Sequence, residues 1–186
     1  KDIKEYSLNN YRKSFGVVFQ DFQCFSATIA QNVLMRDVIN KDADERLIYD
    51  ALYKSGLYEK VSGLPDGIYT VLGRDFDDNG VVFSGGEMQR LAIARIYARD
   101  CNVIILDEPS SALDPIMEFE FYNRVFTLFK DKTVIFISHR LTTTKNADKI
   151  FMFEKGNIIE KGTHMQLIEL NGKYAHMYKV QEAKYK

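Results

Sequence analysis

Val103-Ile104-Ile105-Leu106-Asp107-Glu108-Pro109 sets four apolar residues directly before two carboxylates and a proline. The run does not alternate, so it reads as a strand buried on both faces, as in a parallel sheet, and not as a strand with one wet face. Ser14-Phe15-Gly16-Val17-Val18-Phe19-Gln20 and Thr133-Val134-Ile135-Phe136-Ile137-Ser138-His139 share that texture. Each of the three runs meets a polar group at its end: Gln20, the pair Asp107-Glu108, and His139. In open α/β sheets ligands bind beyond the carboxyl ends of strands, which makes these four residues candidates for one site.

Helical signals fill the intervals. From Asp42 to Ser55 the residues Leu47, Ile48, Ala51 and Leu52 share a face, and Gly56 can stop the helix. Asp114 reads as an N-cap with Pro115 at the first helical position, followed by Phe119, Tyr122, Phe126 and Phe129 at helical spacing, expected to pack into the core. Residues 149–162 suggest a hairpin turning at Lys155-Gly156-Asn157, and Thr163 with Gln166 signals a capped terminal helix. The class is α/β, with mostly parallel core strands, a helical insertion, and a C-terminal hairpin plus helix.

Composition narrows the function classes. With 186 residues, 46% apolar and 27% charged, the chain suits one medium domain able to bury a core. Its 25 basic and 26 acidic residues nearly cancel, so no broad cationic field draws it onto nucleic acid, and no nucleic-acid partner is expected. Apolar runs stay far below the roughly 20 residues of a membrane span. Cys24 and Cys101 make neither a disulfide framework nor a zinc site and are expected to be inert thiols in a reducing, cytosolic setting. Lys1-Asp2-Ile3-Lys4 is no signal peptide, and the missing initiator Met suggests an excerpt of something longer.

The chemistry follows from residue type. Asp107 suits a Mg²⁺ ligand, because that ion keeps several waters and takes one or two carboxylates besides substrate phosphates. Glu108 is then free to orient or deprotonate a water, His139 can hydrogen-bond a terminal phosphate, and Gln20 is an uncharged reader of metal and water. Phe83-Ser84-Gly85-Gly86-Glu87-Met88-Gln89-Arg90 opens a helix. Its glycines let backbone N–H groups approach an anion, and a helix N-terminus favours phosphate. Ser84 and Glu87 equally make a plain capping box, and both readings can hold together. Arg90, Arg95 and Arg99 read as solvated face residues without a catalytic role.

The order Gln20, Ser84-Gly85-Gly86-Glu87, Val103 to Glu108, Ser111-Ala112-Leu113-Asp114 and Ser138-His139-Arg140 resembles the nucleotide-binding domain of ABC transporters. In that family these are the Q-loop, signature motif, Walker B strand with its catalytic glutamate, D-loop and H-loop. The flanks Phe25-Ser26-Ala27-Thr28-Ile29-Ala30-Gln31-Asn32-Val33 and Gly162-Thr163-His164 through Tyr174-Ala175 look like exporter-type cassettes. The resemblance implies a P-loop NTPase-like fold divided into a helical signature subdomain at about 27–100, with 14–26 and 101–186 as the α/β core and C-terminal region.

It further implies that two cassettes, identical or mixed, sandwich two ATP molecules. Asp107 and Gln20 would hold Mg²⁺, Glu108 would activate water, and His139 would contact the γ-phosphate. Ser84, Gly85, Gly86 and Glu87 would cap the ATP of the partner cassette, and Asp114 would communicate across the dimer. Gln20 and the helical insertion would couple the cycle to a transmembrane domain, placing the cassette on the cytoplasmic side of a cell membrane. A soluble ABC-type ATPase of DNA repair, chromosome organisation or translation, or a non-catalytic regulatory module, are the rival readings.

The sequence departs from the family in several places. The P-loop pattern Gly-x-x-x-x-Gly-Lys-Ser/Thr is not found here; the one Gly-Lys pair, Gly172-Lys173, is followed by Tyr174. The expectation is therefore the C-terminal part of a cassette, inactive by itself and prone to self-association through uncovered strand faces. Phe83 replaces the usual leucine, Glu87 the usual glutamine, and Gly73-Arg74-Asp75-Phe76-Asp77-Asp78-Asn79-Gly80 carries extra residues.

Overall fold

The computed structural model describes residues 2–74, 78, 80–109 and 115–183. The chain divides into two compact units, Lys1–Ile137 and Ser138–Lys186. The first unit carries the sheet: β1 (Phe15–Val18), β2 (Val103–Asp107) and β3 (Thr133–Ile137), parallel and in that spatial order. Val18 lies beside Leu106 and Leu106 beside Phe136, so all three strands finish at one edge. Gly16 is needed inside β1, because a Cβ there would sit 2.8 Å from Cys101 Sγ, hard against the residue that leads into β2.

Helix α1 (Leu8–Lys13) precedes β1, helices α2 (Ile29–Leu34), α3 (Lys41–Ser55), α4 (Tyr58–Ser62) and α5 (Gly85–Tyr97) lie in the chain between β1 and β2, and α6 (Pro115–Leu128) links β2 to β3. Helix α3 follows its sequence signals. Asn40 caps the N-terminus, Ile48, Ala51 and Leu52 are fully buried, and Gly56 ends the helix in the left-handed region at φ 75°. Helix α2 starts with a capping box, Thr28 with Gln31.

Two hydrophobic clusters form in this unit. One gathers Ile29, Val33, Ile48, Leu52, Leu57 and Ile68 with Leu91 and Ala94 of α5. The other gathers Val18, Ile104, Leu106, Tyr122, Val125 and Phe129 with Ala92, Ile93 and Ile96 of the same helix.

Burial of the strands on both faces is not what the structure has. Ile104 and Leu106 are buried against α5 and α6, whereas Val17, Ile135 and Ile137 are 38%, 46% and 51% exposed. Helices α5 and α6 both pack on one face, so a sequence written for two covers receives one. A second correction concerns α6. Tyr122 and Phe129 are buried and Phe126 partly so, but Phe119 is 67% exposed, and Phe121 and Val125 pack in the core instead. At about 100° per residue, Phe119 sits close to a quarter-turn from the stripe of Tyr122, Val125 and Phe129.

The second unit holds α7 (Leu141–Thr144), the antiparallel hairpin β4 (Ile150–Glu154) and β5 (Asn157–Gly162), then α8 (His164–Leu170) and α9 (Lys173–Ala183). The hairpin turns at Lys155 and Gly156, both at positive φ, as a tight two-residue turn requires. Thr163 and Gln166 form the capping box foreseen for α8. The expected single terminal helix is two helices, because Asn171 at φ 51° closes α8 and Glu160 of β5 accepts from the N–H groups of Lys173 and Tyr174 to open α9. Gly172 leaves room for that carboxylate, since a Cβ would collide with it. The Gly-Lys pair is thus a helix junction. Tyr174, fully buried, bonds Thr144 Oγ1 at 3.0 Å and His164 Nδ1 at 2.9 Å.

Leu52→Ala should cost about 2–5 kcal/mol by denaturant unfolding, whereas Phe119→Ser should stay within about 0.5 kcal/mol. The exposed face at Val17, Ile135 and Ile137 should make the chain self-associate as concentration rises. Sedimentation velocity should show this, with Val17→Lys and Ile135→Lys shifting it towards monomer; a clean wild-type monomer at high concentration would contradict it.

Candidate functional site

At the common strand edge, Asp107 is the last residue of β2 and pairs across to Ile137. Glu108 then turns the chain away from the sheet at φ 45°, a left-handed conformation that a non-glycine residue adopts at a cost of about 1–3 kcal/mol. Two bonds hold that turn. The Glu108 N–H donates to Ile137 O at 2.9 Å, and the following carbonyl, Pro109 O, accepts from Nε2 of Gln89. Gln89 is 1% exposed and its Oε1 has no hydrogen-bond partner among the described residues, so burying its amide costs desolvation that the Pro109 contact offsets. Asp107 and Glu108 are both half-buried. Gln20 lies exposed, two residues past the end of β1.

His139 belongs to the second unit and is exposed. Its carbonyl accepts from Gln181 Nε2 at 2.7 Å, and Gln181 Oε1 accepts from the Leu141 N–H at 2.8 Å, so α9 fixes the backbone on both sides of Arg140. Asp114, with Ser111, Ala112 and Leu113, lies outside the described residues.

Helix α5 opens as a complete capping box. Ser84 Oγ accepts from the Glu87 N–H at 3.3 Å, and Glu87 Oε2 accepts from the Ser84 N–H at 2.8 Å. Glu87 Oε1 also meets Lys60 Nζ at 3.3 Å. The Ser84 N–H first, and Lys60 besides, hold the Glu87 carboxyl below its ordinary range against the opposing effect of burial. Gly85 is exposed, and a Cβ built on it meets nothing within 4 Å among the described residues, so the first turn is open there. By helix geometry the first-turn N–H groups that the box does not bond point out of that opening, an arrangement suited to an anion. The cap is present, and it leaves the phosphate reading intact.

For a metal, the described strand edge supplies Asp107 beside Glu108, and no group of three or more His, Cys, Asp or Glu gathers among the described residues. A lone carboxylate pair of this kind fits Mg²⁺ completed by phosphate oxygens and water, not an ion caged by protein.

Some residues with structural consequences for the site were set aside in the sequence. Arg95, read as a solvated face residue, is half-buried and bonds the chain at Gln23 and Asn32. Arg90 has its Nε buried, while Arg99 is exposed as expected. The signal for Arg95 was its position, four residues after Leu91 on a helix with few polar sides. Cys24 and Cys101 are free thiols, and burial raises the pKa of each. In the stretch from Gly73 to Gly80, Arg74 Nε donates to Gly80 O at 3.2 Å; residues 75–77 and 79 lie outside the described residues.

Three parallel strands thus finish at one edge with Asp107 and Glu108 beside it, and α5, which opens Ser-Gly-Gly, packs on that sheet. The profile of the ABC transporter family matches residues 1–111, and the chain belongs to that family. It is 42% identical over 179 residues to an ATP-dependent lipid A-core flippase of Burkholderia thailandensis, spanning 96% of this chain and 29% of that protein. It is 38% identical to the mitochondrial ABC transporter B family member 24 of Arabidopsis thaliana, over 99% of this chain and 26% of that one. Among solved structures, a bacterial Atm1-family ABC exporter with ATP bound superposes with a TM-score of 0.84 at 30% identity, covering 97% of this chain and 30% of that chain. The chain thus spans under a third of the length of these relatives. No helix among the described residues is long and apolar enough to cross a membrane.

The Glu87 carboxyl titrates lower folded than unfolded, so its contribution to stability is present above its ordinary value near 4.5 and is lost as pH falls through the folded value. Denaturant unfolding between pH 7 and 3 should therefore show a shallower acid loss for Glu87→Gln than for the wild type. Equal acid slopes would remove the cap's charge from the account.

Proposed function

We propose that this chain forms part of the ATP-hydrolysing cassette of a membrane exporter. The observation that carries the proposal is the strand edge itself, with Asp107 in the ladder and Glu108 held in a left-handed turn by Ile137 O and, through Pro109, by Gln89. Residues of those types at that edge suit phosphoryl transfer to water. Asp107, with Gln20, would hold Mg²⁺, which supplies charge neutralisation on the phosphates. Glu108 orients the attacking water and accepts its proton, and His139 hydrogen-bonds the terminal phosphate.

Ser84, Gly85, Gly86 and Glu87 present an open helix start and cap the ATP carried by a second cassette, of the same or another chain. Asp114 is assigned to communication across that pair. The cluster built from α2, α3, α4 and one side of α5 supports a helical subdomain at about 27–100, distinct from the sheet and its C-terminal region. The exporter and the flippase named among the relatives support a transmembrane domain as the cassette's other partner, with the cassette at the cytoplasmic face of the membrane.

In the parent protein, Glu108→Gln should abolish steady-state ATP turnover, measured as phosphate release, by at least a hundredfold while ATP still binds. Turnover equal to the wild type would overturn the assignment of Glu108 and the reading built on it.

A further inference from the structure

Arg95 projects from α5 onto a single stretch of chain. Its Nε donates to Asn32 O at 2.9 Å, one terminal nitrogen to Gln23 O at 2.6 Å, and the other to Asn32 Oδ1 at 3.1 Å. The guanidinium carbon also lies 5.8 Å from the centre of the Phe25 ring. Asn32, 1% exposed, continues the grip: its Oδ1 accepts from the Phe25 N–H at 2.9 Å, and its Nδ2 donates to Phe25 O, Ala27 O and Thr28 O. A planar fork with donors at fixed angles satisfies this set, and a lysine ammonium cannot. Burial works against the Arg95 charge and pulls its pKa down. Cys24 adds a long contact from its Sγ to Met88 O at 3.8 Å, on the first turns of the same helix.

The segment so held begins three residues after Gln20, and the helix that holds it begins at Ser84-Gly85-Gly86. We infer that Arg95, with Asn32, is a positioning residue that ties the Gln20 segment to the signature helix, so that nucleotide at one is felt at the other. This rests on the functional reading above. Arg95 acts through the Gln23 carbonyl and, by way of Asn32, through the backbone of Phe25 to Thr28.

Hydrogen exchange on the complete parent protein, with and without Mg-ATP, tests the tie. In the wild type, Mg-ATP should slow exchange together in residues 23–28 and 84–88. In Arg95→Lys the 84–88 amides should still respond, while the 23–28 response should fall at least threefold. Without nucleotide, the Phe25 amide should exchange about tenfold faster than in the wild type. Exchange at residues 48–52, in the buried part of α3, serves as the control for folding.

Joint responses of wild-type size in Arg95→Lys would overturn the inference, as would acceleration at 48–52 matching that at Phe25, which would mean general loosening. Should Mg-ATP move neither segment in the wild type, the functional reading fails. The tie is then decided by the nucleotide-free Phe25 rate: tenfold acceleration upholds it, and an unchanged rate removes it. Asn32→Asp, which keeps the acceptor for Arg95 but loses the Nδ2 donor, should give the same decoupling in weaker form.

Discussion

The first unit depends on α5 being buried on opposite sides. Leu91 and Ala94 lie in one hydrophobic cluster, while Ala92, Ile93 and Ile96 lie in the other. At about 100° per residue, these two sets point in nearly opposite directions. A surface helix needs one apolar stripe; this one is the wall between two cores and needs two. Neither the helical cluster nor the sheet cluster can be repacked without moving the helix that the other is built on. The polar residues left on α5 are consequently few, and the ones that remain are spent on particular contacts.

Gln89 and Arg95 make two of those contacts. A buried hydrogen bond adds only about 0.5–1.5 kcal/mol net, but an unmade one costs more, so a buried amide or guanidinium fixes geometry more than it adds stability. Gln89 fixes the step after Glu108, where the chain leaves β2 through a left-handed residue. Glycine would take that conformation without strain, whereas glutamate takes it only when neighbours over-determine it. The Ile137 carbonyl on the N–H side and Gln89 on the Pro109 side are such neighbours.

Much of this was legible in the residues. The strand at Val103, the hairpin at Lys155-Gly156, the boxes at Ser84 and Thr163 and the helix ending at Gly56 each carry a local cause, and local causes survive into the structure. Phe119 was misread because a spacing of three or four residues defines a stripe only after its centre is known, and the centre is set by the sheet that α6 packs on. The exposed face of β3 escaped for a similar reason: apolar composition states what a strand tolerates, while coverage depends on which helices arrive. The partners of Arg95, Gln23 and Asn32, are 72 and 63 residues away and two of its bonds go to carbonyls, so its place one turn after the buried Leu91 is the signal that the sequence carries.

Distance along α5 connects these points. From Ser84 to Arg95 the helix advances about 16 Å at 1.5 Å per residue, and Gln89 stands near the middle. An isolated helix of that length would be marginal in water, whereas α5 is stabilised by packing between two cores. The open glycine turn, the contact beside Glu108 and the grip on the Gln20 segment are therefore three fixed points on one stiff body. Movement at any of them that respects the two cores has to be shared by the others.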